Sequence, residues 1–433
     1  MATHPDTVPY LDAFRGSDAE PQWLGTARQA ALTRFADTGF PTRREEAWRF
    51  TDLRPLQRTG YTPASGGAEF AAADIAPWRF AGASHRIVLV NGSFAPELSD
   101  IGTLPAGAWL ASTARTLAER PALVEQALAA SDEAGRQPFA ALNAAFFADG
   151  FVLALEPGTA LTQPVEVIHL GRSAAPRSFH FRSFVLMGAD SSALLLECFA
   201  GDGAYWTNDV LAIEVGAGAA LSHIRLQDEG REAIHIALSR AWLGKGARYD
   251  SFALTLGGRL ARHDIHARLA GEGASCRLDG AFLLRRDQEA TTVTFVEHAS
   301  PGGTTRELYK GVVDDRAHGV FLGRIAVRPD AQRSDAQQLN RNLLLSRRAS
   351  VDTKPELEIL ADDVKCSHGA TVGDLDEQAL FYLRARGIPE DEARRMLIAA
   401  FATETLDLIA DGAVREHMAR HLERWLGGGD VHA

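Results

Sequence analysis

Between about residues 150 and 372 the apolar positions come in short runs separated by polar corners. The runs read "FVLALE", "VEVIHL", "SFVLMG", "ALLLECF", "VLAIEV", "LSHIRL", "AFLLRR", "TVTFVEH", "ELYKGVV", "GVFLGRIAV", "NLLLS" and "LEILA". They are typically four to eight residues long, and the gaps carry Gly, Asp, Asn or Arg, which is the punctuation of strands and turns. No helix of ordinary length fits in this stretch. So many strands without intervening helices predict a sandwich, barrel, propeller or β-solenoid. No strict repeat is visible, which counts against propellers and repeat-coded solenoids. Two features suit a β-helix better than a sandwich. Hairpin dipeptides are scarce, with Asn-Gly at 91–92, outside the stretch, and Asp-Gly at 202–203 and 279–280 within it. Short aliphatic strands with polar corners also let each coil stack its inward side chains on the next.

The flanks change period. In "DAEPQWLGTARQAALTRFADTGFP" (18–41), Trp23, Ala27, Ala30, Ala31 and Phe35 recur at helical spacing before a Gly-Phe-Pro stop. A second helical pattern covers 112–134, with Ser112 as N-cap and Pro121 restarting the helix. Between them "HRIVLVNGSFAPEL" (85–98) predicts a strand closed by an Asn-Gly turn. After residue 373, Asp374 with Glu377 forms a capping-box pattern, Gly387 ends that helix, and Pro389 opens the next. Over 390–412, Ala393, Leu397, Ala400, Phe401 and Leu408 make an apolar stripe that Glu404 interrupts. "AVREHMARHLERWLGG" predicts a third helix. The chain thus divides into a mostly helical region 1–145, a β-core 146–373 and a helical region 374–433. An apolar face there, with Phe381, Tyr382 and Leu383 as candidates, is free to meet the core or a partner.

Composition narrows the class. The 45 basic and 56 acidic residues give a net charge of −11, which argues against nucleic acid or an anionic membrane as partner. "RNLLLSRRAS" (341–350) is nevertheless basic, and "ELEILADD" (356–363) after it is acidic. Three cysteines make no disulfide framework and favour a reducing compartment. The N-terminus lacks the basic and apolar regions of a secretory signal, and no run of 18 apolar residues occurs, so a soluble cytoplasmic protein is expected.

The chemistry is sparse. No GxxxxGK[ST], complete GxGxxG, HExxH or GxSxG occurs, and Cys198, Cys276 and Cys366 form no CxxC, so no nucleotide is expected to bind through a P-loop of this chain. In "VKCSHGATVG" (364–373), Cys366 and His368 stand two apart, and on a strand they face the same side. Three readings stay open: a buried small thiol with a histidine at the sheet end, half of a metal site, or a nucleophile with its base. His263 and His266, three apart on a strand, go to opposite faces, and His318 sits at a corner. Cys198 and Cys276 read as core. "PTRREEAWRFTDLRPL" (41–56) reads as an amphipathic connector with i,i+4 charge pairs.

The run 341–389, "RNLLLSRRASVDTKPELEILADDVKCSHGATVGDLDEQALFYLRARGIP", resembles the C-terminal signature of the SufB/SufD family of iron–sulfur cluster assembly proteins. "PTRREEAWRFTDL" (41–53) and "AHGVFLGRIAVRPDAQRSDAQQLNRNLLLS" (317–346) add to a likeness that covers the whole chain, nearer the SufD branch than the longer SufB branch. The resemblance implies a right-handed parallel β-helix flanked by N-terminal and C-terminal helical regions. It implies a non-catalytic scaffold subunit in a complex of the SufB–SufC2–SufD type. A SufB-type paralogue, or a second copy of this chain, would pair through the β-helix, and a SufC-type ABC ATPase would dock on the C-terminal helices. His368 matches the family histidine implicated at the interface, with Cys366 beside it. Together they would offer a partial ligand set, His368 for iron and both for a transient iron–sulfur cluster shared with the partner. A SufB-type role and a thiol enzyme using Cys366 and His368 are the alternatives.

Overall fold

A computed structural model of the chain describes residues 5–16, 20–80, 82, 85–130 and 137–428. Its strands are β1 (Thr62–Pro63), β2 (His85–Val90), β3 (Ser93–Phe94), β4 (Ala108–Ser112), β5 (Phe151–Leu155), β6 (Val165–Met187), β7 (Ser192–Val215), β8 (Ala220–Glu229) and β9 (Ile234–Leu243). They continue as β10 (Arg248–Thr255), β11 (Leu260–Leu269), β12 (Ser275–Leu284), β13 (Glu289–His298), β14 (Thr304–Val313), β15 (His318–Val327), β16 (Asp335–Leu344), β17 (Ser350–Ile359) and β18 (Lys365–Gly373). Helices precede the core as α1 (Val8–Ala13), α2 (Gln22–Thr38), α3 (Arg54–Thr59), α4 (Ala72–Ile75), α5 (Thr113–Glu119), α6 (Pro121–Ala130) and α7 (Pro138–Phe146). Three follow it: α8 (Glu377–Ala385), α9 (Glu390–Leu406) and α10 (Gly412–Leu426).

From β5 onward the strands pair in parallel with the strand one coil away. One face runs β8, β10, β12, β14, β16, β18, and the other runs β9, β11, β13, β15, β17. β7 is long enough to bend through both faces, pairing β8 with its first half and β9 with its second. The result is a parallel β-helix of about eight turns with helices at both ends. Each coil advances 26 to 32 residues, the extremes being Ile234 to Leu260 and His318 to Ser350. Strand spacing of ~4.8 Å makes the stack roughly 40 Å long.

The coils turn at corners that need a left-handed residue. Gly158, Asp190, Gly218, Gly246, Gly273, Gly302 and Arg333 hold φ between 56° and 75°, one per coil, and each donates its N–H to a carbonyl of the following coil. The conformation is least costly for glycine, which explains the run of glycines. Hairpin dipeptides are scarce because the strands connect forward, not back. The one Asn-Gly hairpin is where it was expected, joining β2 to β3 with Asn91 at φ 47° and Gly92 at 81°.

Side chains of alternate residues fill the lumen, and their neighbours face outward under helices. Tyr10, Phe35, Phe40, Trp48 and Phe139 cover Trp206, Ile234, Ile236 and Leu260 on one face. On the other, Ile398, Ala402, Leu406, Val414, Met418 and Leu422 cover Leu196, Cys198, Ile224, Phe252, Leu254 and Val312. Cys198 is therefore outward but buried, and Cys276 lies in the lumen core. His263 points into the lumen against Ser239, and His266 points outward beside Phe295. His318 opens β15 and meets Asp352 at 2.8 Å, so it is a hydrogen-bonded corner and not merely a solvated one.

Three local expectations need correction. The cap of α8 is Asp376, whose side chain accepts from the N–H groups of Gln378 and Ala379; Asp374 lies before the helix. The connector 41–56 has a short 3-10 turn at Glu46–Trp48 before α3 begins at Arg54, and its charges pair locally, as Arg54 does with Asp52, or reach the β-helix, as Glu46 does, instead of pairing along a helix. The Arg262 guanidinium lies 3.6 Å from the centre of the Trp48 ring, and Glu46 pairs with Lys354. The predicted helix 390–412 breaks at Leu406, with Asp411 capping α10. Of the pattern over 112–134, residues 131–134 lie outside the described residues; within them Ser112 caps α5 and α6 restarts at Pro121.

Glu404, the residue that interrupts the stripe of α9, has a specific partner. Lys310 of β14 is buried at 1% exposure beneath α9, ion-paired to Glu404, donating to the Phe401 carbonyl and lying 4.3 Å from the Phe401 ring centre. Glu404→Ala leaves that ammonium buried without its counter-ion. It is expected to cost about 1–2 kcal/mol, reduced from the value for a fully buried pair because Glu404 is half exposed. Lys310→Met removes the charge with its stem volume kept and should cost less than half as much. The Lys310 hydrogen bond holds the Glu404 carboxyl below its usual range, so the contribution is present at neutral pH and is lost as pH falls through the acid range. Urea melts of both variants at pH 7 and pH 4 check the order and the sign.

Candidate functional site

Constant register makes each lumen column readable. Leu221, Tyr249, Cys276, Thr305, Ala336 and Cys366 stack in one column. His223, Ser251, Leu278, Glu307, Gln338 and His368 stack in the next. Cys366 and His368 are thus the last members of two adjacent inward columns, on β18, side by side at the end of the β-helix. Cys366 is half-buried and packs against the lumen core, and His368 is exposed.

Among the described residues nothing caps that end. The opposite end is closed by β2, β4 and β5, which bury Ile87, Leu89, Leu110, Phe151 and Leu153 in the lumen core. Among the described residues β18 pairs with β16 alone and β17 with β15 alone, leaving one edge of each strand unpaired. Neither strand has a buried residue. Ile359, Leu360 and Val372 are exposed there. Pro355, which lacks an N–H, is tolerated within β17 because nothing pairs beyond it. Lys354, Glu356 and Glu358 charge the same strand, a common protection for an exposed edge.

The thiol is not activated. Burial pushes Cys366 above its ordinary value, against an opposing hydrogen bond at the Ala336 backbone, and the Asp335 carboxylate adds a lesser upward push. A nucleophilic cysteine needs the opposite shift. Among the described residues no three His, Cys, Asp or Glu side chains gather as a metal-holding group. The pair is two side chains at a rim, with no third such group gathered beside them among the described residues.

Two residues behind His368 escaped the sequence reading. Gln338 and Glu307 lie one and two coils deeper in its column, and the Gln338 amide donates to Glu307 at 2.9 Å, as the Thr294 hydroxyl does. Burial raises the Glu307 carboxyl to about 7. The signal that links 307, 338 and 368 is the coil step, which is invisible until register is known. Farther in, Glu197 joins His223 at 2.6 Å and His169 at 3.2 Å, and Arg225 joins Asp209 at 3.1 Å. Burial opposes ionisation of Glu197, but the two histidine hydrogen bonds outweigh it and hold the carboxyl well below its usual range.

Away from the rim, α8 has no buried residue, with Phe381 at 74% and Tyr382 at 57% exposure, and Met396 of α9 is exposed nearby. Leu383 is half-buried. No helix among the described residues is long and apolar enough to cross a membrane.

Comparison with known proteins gives two family matches. Residues 169–401 match the family described as SUF system FeS cluster assembly, SufBD core domain, and residues 17–167 match the SufBD protein N-terminal region. The chain is 31% identical over 428 residues to the iron–sulfur cluster assembly protein SufD of Escherichia coli, covering 95% of this chain and 98% of that one. It is 33% identical over 404 residues to an iron–sulfur cluster assembly SufBD family protein of Synechocystis, covering 91% and 89%. To protein ABCI7, chloroplastic, of Arabidopsis thaliana it is 28% identical over 424 residues, covering 95% and 88%.

The raised thiol predicts slow chemistry. Iodoacetamide at pH 7.5 is expected to label Cys366 several-fold more slowly than free cysteine, and Cys198 and Cys276 only after denaturation. Mass spectrometry of a time course measures this, and labelling of Cys366 faster than free cysteine would contradict it.

Proposed function

The chain belongs to the SufB/SufD family of iron–sulfur cluster assembly proteins, on its SufD side, and we propose that it serves there as a non-catalytic scaffold subunit supporting iron acquisition and nascent cluster formation at a subunit interface. The observation that carries this reading is the placement of His368 and Cys366 side by side on an uncapped terminal coil. Imidazole and thiolate suit iron, and two donors leave half a tetrahedral shell for a second chain. The iron or cluster is cargo, shared across the interface and not resident in this subunit.

The partner at the rim is a SufB-type paralogue, or a second copy of this chain. The free edges of β17 and β18 support this, because a partner strand satisfies backbone groups that water alone now meets. The exposed Phe381, Tyr382 and Met396 support α8–α9 as the dock for a SufC-type ATPase. Burying one large apolar side chain contributes roughly 1.5–3 kcal/mol, enough for two or three to anchor a contact. Nucleotide hydrolysis then belongs to that separate subunit.

Two experiments test the reading. In the complete complex, reconstituted anaerobically with iron and sulfide, His368→Ala is expected to lower cluster yield at least about tenfold, with subunit stoichiometry unchanged on size exclusion. Cys366→Ser should lower it less. A His368→Ala complex that builds clusters as well as wild type removes the ligand role. Phe381→Glu with Tyr382→Ser is expected to abolish co-purification of the ATPase at unchanged melting temperature, since both side chains are exposed; retained co-purification moves the dock elsewhere.

A further inference from the structure

The corners of successive coils carry arginine where they meet the C-terminal end of α10. Arg231, Arg259, Arg285, Arg286 and Arg424, with His421, line one narrow cleft having about 50 Å³ of solvent-sized space. The acids on its walls are Asp228, Glu229 and Asp287. Glu229 is engaged from the lumen side by Thr207 and Gln227 and lies 2.7 Å from His235. Asp228 lies 3.7 Å from His421. In a chain whose net charge is −11, five guanidinium groups around one cleft reverse the overall sign.

Two further features lie at the same place. The indole Nε1 of Trp425, which lines the cleft, is buried and has no hydrogen-bond partner among the described residues. A buried donor of that kind is rarely left without an acceptor. Arg286 holds φ at 63°, a left-handed conformation that glycine would adopt at less cost. The local field agrees. Burial is the main reason the neighbouring His417 is lowered to about 3, and the charges of His421, Arg420 and Arg424 push it the same way.

We propose that this cleft binds a phosphate-sized tetrahedral oxyanion, which bridges the corner arginines to Arg424 and fastens α10 onto the β-helix. Planar guanidinium groups match such an anion through paired, charge-assisted hydrogen bonds. The small volume takes a free anion or a phosphomonoester group, with any attached nucleoside left outside. The proposal does not rest on the role assigned to the terminal coil.

The test uses the full chain in chloride buffer at fixed ionic strength. It is titrated with inorganic phosphate, sulfate and AMP, followed by calorimetry and tryptophan fluorescence. Saturable phosphate binding competed by sulfate is expected, with a melting temperature that rises with phosphate concentration. Equal binding of AMP identifies a phosphomonoester as the source, and binding of phosphate alone identifies the free anion. Arg259→Gln with Arg424→Gln should weaken binding at least about tenfold. Arg286→Gly, which fits the left-handed backbone and so preserves folding, should weaken it in the same direction. Absence of saturable binding in the wild type, or unchanged affinity in a folded Arg286→Gly variant, overturns the proposal.

Discussion

The in-register parallel ladder is the constraint on which the rest of this molecule depends. Each coil donates to and accepts from the next, so residues one step apart lie over one another. A slip of a single residue would exchange lumen and surface along the whole strand. Such a slip would carry Glu197, His223, Arg225 and Glu307 out of the lumen and their aliphatic neighbours in. Corner residues with φ near 60° hold the register, and the helices read it from outside. α9 and α10 lie over Leu196, Ile224 and Phe252, which stack in one column only if three coils keep step.

The same ladder lets charges be buried. An isolated charge in a dry lumen is costly, and a pair breaks even only with good geometry and further hydrogen bonds. Stacked coils supply that geometry at fixed spacing, as with Glu197 held by histidines of the coils on either side. Lys310 under α9 follows the same rule on the outer face. A shifted register would leave these polar lumen groups without their partners. We read this as specificity obtained from groups that add little net stability.

The β-core, its flanking helices and the same-side placement of Cys366 and His368 were legible because each rests on local period. Two-residue alternation put both side chains on one face, and 3.6-residue periodicity marked the helices. What was hidden depends on register between coils. The tripeptide pattern Gly-x-Gly followed by Ala recurs at 216–219, 244–247 and 271–274, and each instance is a corner. Elsewhere Asp190 and Arg333 replace the left-handed glycine, and the step varies by several residues, so no strict repeat appears. Glu404 looked like a flaw in a stripe because its partner is 94 positions away. Asp374 looked like a cap because local sequence alone cannot decide between two aspartates two residues apart. Gln338 and Glu307 carried no local mark at all.

An unfinished end follows from the ladder's own logic and gives the proposed role its chemical sense. A ladder can be closed by a cap, as at β2, β4 and β5, or by another chain; at β17 and β18 the described residues provide no cap. A site with a full set of donors in one subunit would retain iron with an affinity set by that subunit alone. Under the proposed role, two donors on a free edge would make retention conditional on the neighbour, and parting the two chains would remove half the ligands at once. Cargo that must be built and then surrendered needs that conditionality. The raised Cys366 thiol fits the same scheme, because a thiol kept protonated at the rim resists oxidation until a metal displaces the proton.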